Sequence, residues 1–171
     1  CGDYARALEL IDSALDVAVR SSKARTLKAY ILRKLGRPGE AEAELDRAVE
    51  FDPLDVWSVA ERCFLQGKAD SALKALAHNR GDQLQQMLEV VTDYGKLGAT
   101  EEALAILAQA EDAAGPYTSP LVLYYAGYHH LNLGDAEKAR TLFDRAAAMP
   151  TDYCFPFRHE TLQVLDRKSV V

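Results

Sequence analysis

The sequence predicts an all-α fold, a solenoid of stacked antiparallel helix pairs, and two observations support this prediction. Alanine and leucine are abundant among the 171 residues and proline occurs only six times, a composition that favours helices over sheets. A set of residues also recurs with spacings of 31 to 36 positions. Because a fixed period of this length is typical of helical repeats, we expect about ten helices and no sheet.

Five glycines mark the repeat, and the same two kinds of residue follow each of them. An alanine lies five positions after each glycine, and a bulky apolar residue lies four positions further on. We expect each glycine in the turn between two helices, where positive φ or close approach is needed, and we expect Ala41, Ala72, Ala103 and Ala139 to be nearly fully buried against the preceding helix. The three sets are Gly2, Gly36, Gly67, Gly98 and Gly134; Ala7, Ala41, Ala72, Ala103 and Ala139; and Ile11, Leu45, Leu76, Leu107 and Phe143.

The repeat predicts one solenoid over residues 1–171. It begins with a partial repeat at 1–21, continues with repeats at about 22–55, 56–81, 82–117 and 118–151, and ends with the start of a further helix at 155–168. Since Gly2 corresponds to a hairpin turn, we expect a preceding helix upstream, in a longer protein. Without that helix, an apolar strip near Leu8, Ile11 and Leu15 needs cover, which predicts a homodimer through exposed terminal helices.

Charged residues interrupt the helical pattern at two places. Arg25 and Lys28 occupy positions that are apolar in the other repeats, so we expect a partly exposed helix whose long side chains cover apolar surface. The glutamates of the run from Glu40 to Glu44 have the spacing of a solvated helix face, rather than of a carboxylate pair with a raised pKa.

The stretch from Ser22 to Asp55 resembles the tetratricopeptide repeat, and the resemblance extends over nearly the whole chain. It implies a right-handed superhelix with a concave groove that binds peptides or partner proteins. The run from Asp152 to Glu160 also resembles a segment of large bacterial repeat proteins that carry a carbohydrate-related domain of unknown function upstream. The residues that carry the first resemblance are Ala29, Leu32, Gly36, Ala41, Leu45, Ala48 and Pro53.

The resemblance implies that side chains ten, six and three positions before each turn glycine line the concave surface. Here those positions combine aromatic rings with one arginine, which are the residue types that dominate binding hot spots. The alternative that stays open is that these rings pack between neighbouring helices as core. The predicted groove residues are Tyr30, Arg33, Trp57, Phe64, Tyr124 and Tyr128, and the same positions of the fourth hairpin hold Leu88, Thr92 and Gly95.

No motif in the sequence indicates catalysis, a cofactor or a metal site. The motifs GxSxG, HExxH and GxGxxG are absent. His129 and His130 are adjacent, so on a helix they point about 100° apart and cannot both bind one metal ion. We expect His130 on the packing face and His129 off it. We therefore predict that the chain is not an enzyme and has no catalytic, cofactor-binding or metal-binding residues.

Composition also limits the partners. A net charge of −6 argues against nucleic acid, which needs clustered Lys and Arg. The apolar runs are much shorter than the ~20 residues that cross a bilayer. Three widely spaced cysteines and no recognisable signal peptide predict a cytoplasmic protein. The predicted function is a non-catalytic scaffold for a protein or peptide; the alternative is a structural spacer or accessory region of a larger bacterial carbohydrate-related enzyme.

Overall fold

The computed structural model describes residues 3–68, 83–114, 118–152, 154 and 159–167, and this part of the chain is helical with no strand. It divides into two compact units, Cys1–Ala72 and Leu73–Val171. The all-α prediction is therefore confirmed. In chain order the helices are α1 (Tyr4–Val17), α2 (Ser22–Lys34), α3 (Pro38–Phe51), α4 (Val56–Leu65), α5 (Gln83–Lys96), α6 (Thr100–Ala114), α7 (Pro120–Asn132), α8 (Ala136–Ala147) and α9 (His159–Arg167).

The first unit is a stack of four helices around a small apolar core. Helix α2 packs against α1, α3 and α4, and α4 also packs against α3. The core consists of Ala29 and Leu32 from α2 and Ala41 and Leu45 from α3, with Leu8 of α1 packed against it. Each helix thus buries a face against its neighbours, as a repeat protein requires.

The second unit consists of α5 to α9. Helix α5 packs on α6, α6 on α7, and α7 on both α8 and α9. At the α7–α8 contact, Gly127 allows close approach, because a Cβ added there would lie 2.4 Å from Cε1 of Phe143. Only glycine leaves room for the Phe143 ring at this crossing.

The turn glycines have the conformation that the repeat predicts. Gly36, Gly67, Gly98 and Gly134 have φ values of 71°, 65°, 69° and 83°. After each of them, the next backbone amide donates a hydrogen bond to the carbonyl five residues earlier, as Arg37 does to Leu32 at 2.9 Å. This bond closes the end of the helix in the way that favours glycine at positive φ. The turn prediction is confirmed at these four positions, and Gly2 lies outside the described residues.

The alanines that were predicted to be buried are buried wherever they lie in the described part of the chain. Ala41 is 1% exposed, and Ala103 and Ala139 are fully buried. Ala72 lies outside the described residues. The packing contact that the spacing predicts therefore exists in three of the hairpins.

The expectation of partly exposed charges on α2 was wrong for Arg25. Its side chain is buried, and its guanidinium donates to Glu44 Oε2 at 2.8 Å and to the carbonyl of Val19 at 2.7 Å. The Lys28 Nζ lies 2.8 Å from Asp12 Oδ1 and 3.0 Å from Glu44 Oε1. The expectation of a solvated Glu44 was also wrong, because α3 buries this residue against the two cations of α2.

The ion cluster is formed by Arg25, Lys28, Glu44 and Asp12, and it lowers the pKa of its buried acid, Glu44. Burial by itself raises the pKa of the Glu44 carboxyl, but hydrogen bonds from Lys28 and Arg25 outweigh burial, and the net shift is downward. Glu44 therefore stays charged, and one carboxylate joins α3 to α2 while Lys28 extends the cluster to α1.

The exposed apolar surface of α1 differs from the predicted strip. Leu15 is buried and Leu8 packs on the core, so the strip near Leu8, Ile11 and Leu15 is mostly turned inward. Instead, Leu10 and Val17 are exposed, at 59% and 90%. Among the described helices, none has the length and hydropathy needed to cross a membrane.

Candidate functional site

In the first unit, the side chains of the predicted groove are engaged within the protein. The rings of Tyr30 and Trp57 are only 2% and 5% exposed. The Arg33 Nε donates to Glu61 Oε1 at 2.6 Å, and its guanidinium lies over the rings of Tyr30 and Phe64 at 5.4 and 5.7 Å. The Arg33 charge is therefore compensated by a buried carboxylate, which weakens any ion pair that Arg33 could form with a ligand.

Asp55 links α4 to α2 through hydrogen bonds. One carboxylate oxygen accepts from the hydroxyls of Ser22 and Thr26 at 2.9 and 3.2 Å, and the other accepts from the Trp57 amide at 3.1 Å. This is a helix N-cap that also binds the neighbouring helix. These polar groups serve the packing of the unit.

In the second unit, two of the predicted residues are half-buried tyrosines of α7. The Tyr124 ring packs against Phe143 with a centroid distance of 6.2 Å. The Tyr128 ring lies edge-on to His129 at 5.5 Å. Both rings keep some exposed surface.

A cleft of about 130 Å³ lies between α5, α7 and α9; we call it the α5–α7–α9 cleft. Three of its lining residues, Thr92, Gly95 and Tyr128, occupy positions that the repeat assigns to the concave surface. The cleft thus lies on the face that the sequence predicts for binding. The lining residues are Thr92, Gly95, Lys96, Tyr125, Tyr128, His129, Glu160, Gln163 and Val164.

The walls and rim of this cleft differ in chemistry. Tyr125 and Val164 are buried, and the Tyr125 hydroxyl lies 2.9 Å from Thr161 Oγ1, which joins α7 to α9. At the rim, Lys96 Nζ lies 2.7 Å from Glu160 Oε1, which joins α5 to α9. The cleft therefore has ring and aliphatic walls with one pair of opposite charges at its edge.

Comparison with known proteins identifies the repeat. A model of the tetratricopeptide repeat family matches residues 2–56 and 91–153, which is more than half of the chain. The chain belongs to the tetratricopeptide repeat family. It is also similar to anaphase-promoting complex subunit 7 of Mus musculus, with 29% identity over 154 residues. The match covers 88% of this chain but only 21% of that relative.

The family and this relative support a general role as a protein-interaction scaffold. Within the described part of the tetratricopeptide chain, no three His, Cys, Asp or Glu side chains are grouped so that they could hold a metal ion. Cys63 and Cys154 are free thiols. Burial raises the pKa of the Cys63 thiol, which keeps it protonated and weakly nucleophilic.

The position of His129 differs from the prediction, which placed this residue off the packing face of its helix. It is 2% exposed and lines the cleft, whereas His130 is only half-buried. The reason is that α7 packs against α6, α8 and α9, so residues away from a single packing face are buried as well. Burial first, and the nearby His130 charge second, lower the pKa of His129 from 6.5 to about 4.

The sequence reasoning also missed the contribution of α9. Glu160, Gln163 and Val164 have the i, i+3, i+4 spacing of one helix face, which was the available signal. The rule that located the other groove positions was applied only to the helices before Gly36, Gly67, Gly98 and Gly134, and so it did not include α9.

Proposed function

We propose that this chain is a non-catalytic scaffold for a protein or peptide ligand, and that the α5–α7–α9 cleft is its ligand surface. The observation that carries this proposal is an open cleft on the face that the repeat assigns to binding, with the half-buried ring of Tyr128 at its wall. Concave sites with apolar walls and a few polar groups are the usual form of a binding pocket. Tyrosine in such a place provides both apolar area and a hydroxyl.

The similarity to a subunit of the anaphase-promoting complex is consistent with this proposal, because that relative is by name part of a protein assembly. We propose that the present chain likewise contacts other proteins. We further propose a cytoplasmic location and no binding to nucleic acid or membranes, on the basis of the widely spaced cysteines, the net charge of −6 and the short apolar runs.

A structural spacer remains the second candidate, and the first unit favours it. There, Tyr30 and Trp57 are covered and Arg33 is paired with Glu61. A unit whose aromatic and charged side chains serve its own packing suits a spacer or accessory region of a larger bacterial carbohydrate-related enzyme. The two candidate functions are compatible if the second unit binds the ligand and the first unit serves as the spacer.

The experiment that tests the scaffold proposal compares two tyrosines on one helix. A partner is captured with the protein from an extract and identified, and its affinity is then measured by calorimetry for Tyr128→Ala and Tyr124→Ala. We expect Tyr128→Ala to weaken binding about 30-fold, as the loss of a hot-spot residue does, while Tyr124→Ala, which does not line the cleft, changes it little. Circular dichroism verifies that both variants are folded. Unchanged affinity of folded Tyr128→Ala would reject the cleft as the ligand surface.

A further inference from the structure

The size of the α5–α7–α9 cleft matches a single aromatic ring. Its volume of about 130 Å³ is close to the ~150 Å³ of a protein cavity that binds benzene. Tyr125, Tyr128 and Val164 supply ring and methyl surface, and Gly95 contributes no side chain that would fill the space. An aromatic ring can pack against Tyr128 in a stacked or edge-on geometry.

The charges around the cleft are balanced. The rim pair of Lys96 and Glu160 brings one positive and one negative charge within 2.7 Å of each other. His129 beside them is uncharged at neutral pH because burial keeps its pKa near 4. A charged side chain that enters the cleft loses hydration and must either break the rim pair or stay uncompensated. The cleft therefore favours an uncharged group.

His129 provides a polar edge inside the cleft. A neutral imidazole has one N–H donor and one acceptor, and the buried Nδ1 of His129 has no hydrogen-bond partner among the described residues. Its Cε1 and Nε2 lie 3.0 and 3.6 Å from the position that a Cβ on Gly95 would take, so this ring edge lies close to Gly95, which places no side chain against it. A hydroxyl both donates and accepts, and so it can pair with Nε2 in either tautomer of the ring.

From the volume, the balanced charge and the imidazole in the cleft wall together, we infer that the α5–α7–α9 cleft binds the phenol ring of a tyrosine presented by an extended segment of a partner protein. Phenylalanine fills the same volume but lacks the hydroxyl. Lysine, arginine and phosphotyrosine each bring a charge that the cleft does not compensate. This inference rests on the proposed function, since it names the group that the same ligand surface selects.

The test uses four small probes and the unaltered protein. Solutions of N-acetyl-tyrosinamide, N-acetyl-phenylalaninamide, N-acetyl-lysinamide and O-phospho-N-acetyl-tyrosinamide are titrated into isotope-labelled protein, and amide NMR shifts are followed. We expect the tyrosine probe to shift Gly95, Tyr128 and His129 with a Kd in the millimolar range. The phenylalanine probe should bind about 5-fold more weakly, the factor that one hydrogen bond contributes. The two charged probes should bind at least ~10-fold more weakly.

A matched pair of glycine substitutions tests where the tyrosine probe binds. Gly95→Ala places a methyl group 3.0 Å from His129 Cε1, and we expect it to weaken binding of the tyrosine probe at least ~10-fold. Gly39→Ala makes the same change within helix α3, where no atom lies within 4 Å of the new methyl group, and should leave the affinity unchanged. Thermal melts show whether both variants are folded. The comparison of the four probes uses the unaltered protein and does not depend on either variant.

Several results would overturn the tyrosine assignment: equal affinity for the tyrosine and phenylalanine probes, tighter binding of either charged probe, no shift at ~10 mM probe, or full affinity in folded Gly95→Ala. The scaffold proposal can fail separately. A partner that binds through Tyr128 while the probes show no preference for tyrosine would leave the scaffold in place and remove only this inference.

Discussion

At the scale of single residues, Ala41 shows how strictly the repeat constrains side-chain size. It lies in the core of the first unit beside Ala29, Leu32 and Leu45. Ala41→Leu adds three carbons to a filled space, and we expect a loss of roughly 1–3 kcal/mol in the free energy of unfolding. The matched control is Ala43→Leu, two positions along the same helix, where the side chain is exposed and the change should be within ~0.5 kcal/mol. Urea denaturation measures both; equal stabilities would show that the packing register is different.

His129 gives the second prediction at this scale, and it concerns pH. Its pKa is 6.5 in an exposed state and about 4 in the fold, so the unfolded chain binds the proton at higher pH. Above about pH 6.5 neither state carries the proton, and His129 imposes no penalty. As the pH falls from 6.5 to 4, stability decreases by a total on the order of 3 kcal/mol.

The measurement for His129 is the free energy of unfolding across this pH range. His129→Gln should flatten the dependence, since the group that titrates is gone. His159→Gln, which replaces an exposed histidine of α9, should keep the slope of the parent protein. A His129→Gln protein with the full slope would assign the pH dependence to other groups.

At the scale of helices, the ion cluster around Glu44 joins three elements. It connects Arg25 and Lys28 of α2 to α3, and through Lys28 to Asp12 of α1. Glu44→Gln leaves the buried Arg25 guanidinium without a counter-charge, and we expect a loss of roughly 3 kcal/mol. Glu50→Gln, an exposed glutamate of the same helix, should change stability little. Thermal melts of Glu44→Gln and Glu50→Gln measure the loss of stability in each variant. Similar losses would mean that the cluster contributes no more to stability than a surface ion pair.

At the scale of the whole molecule, the two units use the same repeat differently. In the first unit Tyr30 and Trp57 are buried and Arg33 is paired with Glu61, whereas the second unit keeps a cleft with the His129 imidazole in its wall. Two repeats of one family thus differ through the residues at matching positions, such as Arg33 in α2 and Leu131 in α7, each three residues before its turn glycine.

The exposed apolar residues of α1 lead to a prediction about assembly. Leu10 and Val17 are seven residues apart and therefore lie on one helix face. We expect weak self-association through this face at high protein concentration, which Leu10→Glu with Val17→Glu removes. Leu54→Glu, at an exposed leucine in the loop after α3, is the control and should not alter association. Sedimentation velocity over a concentration series measures this, and a monomer at every concentration would contradict it.

The sequence by itself determined the helical repeat, because the signals for it are local. A glycine at positive φ ends a helix within a few residues, and an alanine five positions later reports close contact with the preceding helix. For this reason the turns at Gly36 and Gly134 and the burial of Ala41 were predictable from spacing alone. Three of the cleft residues, Thr92, Gly95 and Tyr128, were reached through the resemblance to the tetratricopeptide repeat, which implies the positions of the concave surface.

Only the tertiary structure decided which polar side chains are buried and what surrounds them. Glu44 and Arg25 look like surface residues in sequence, and they are buried because each neutralises the other across two helices. His129 is off the predicted face, yet α7 has neighbours on several sides. The cleft itself requires α5, α7 and α9, whose lining residues are up to 72 positions apart, from Thr92 to Val164. A local pattern carries no information about such distances, since they depend on how each hairpin packs on the next.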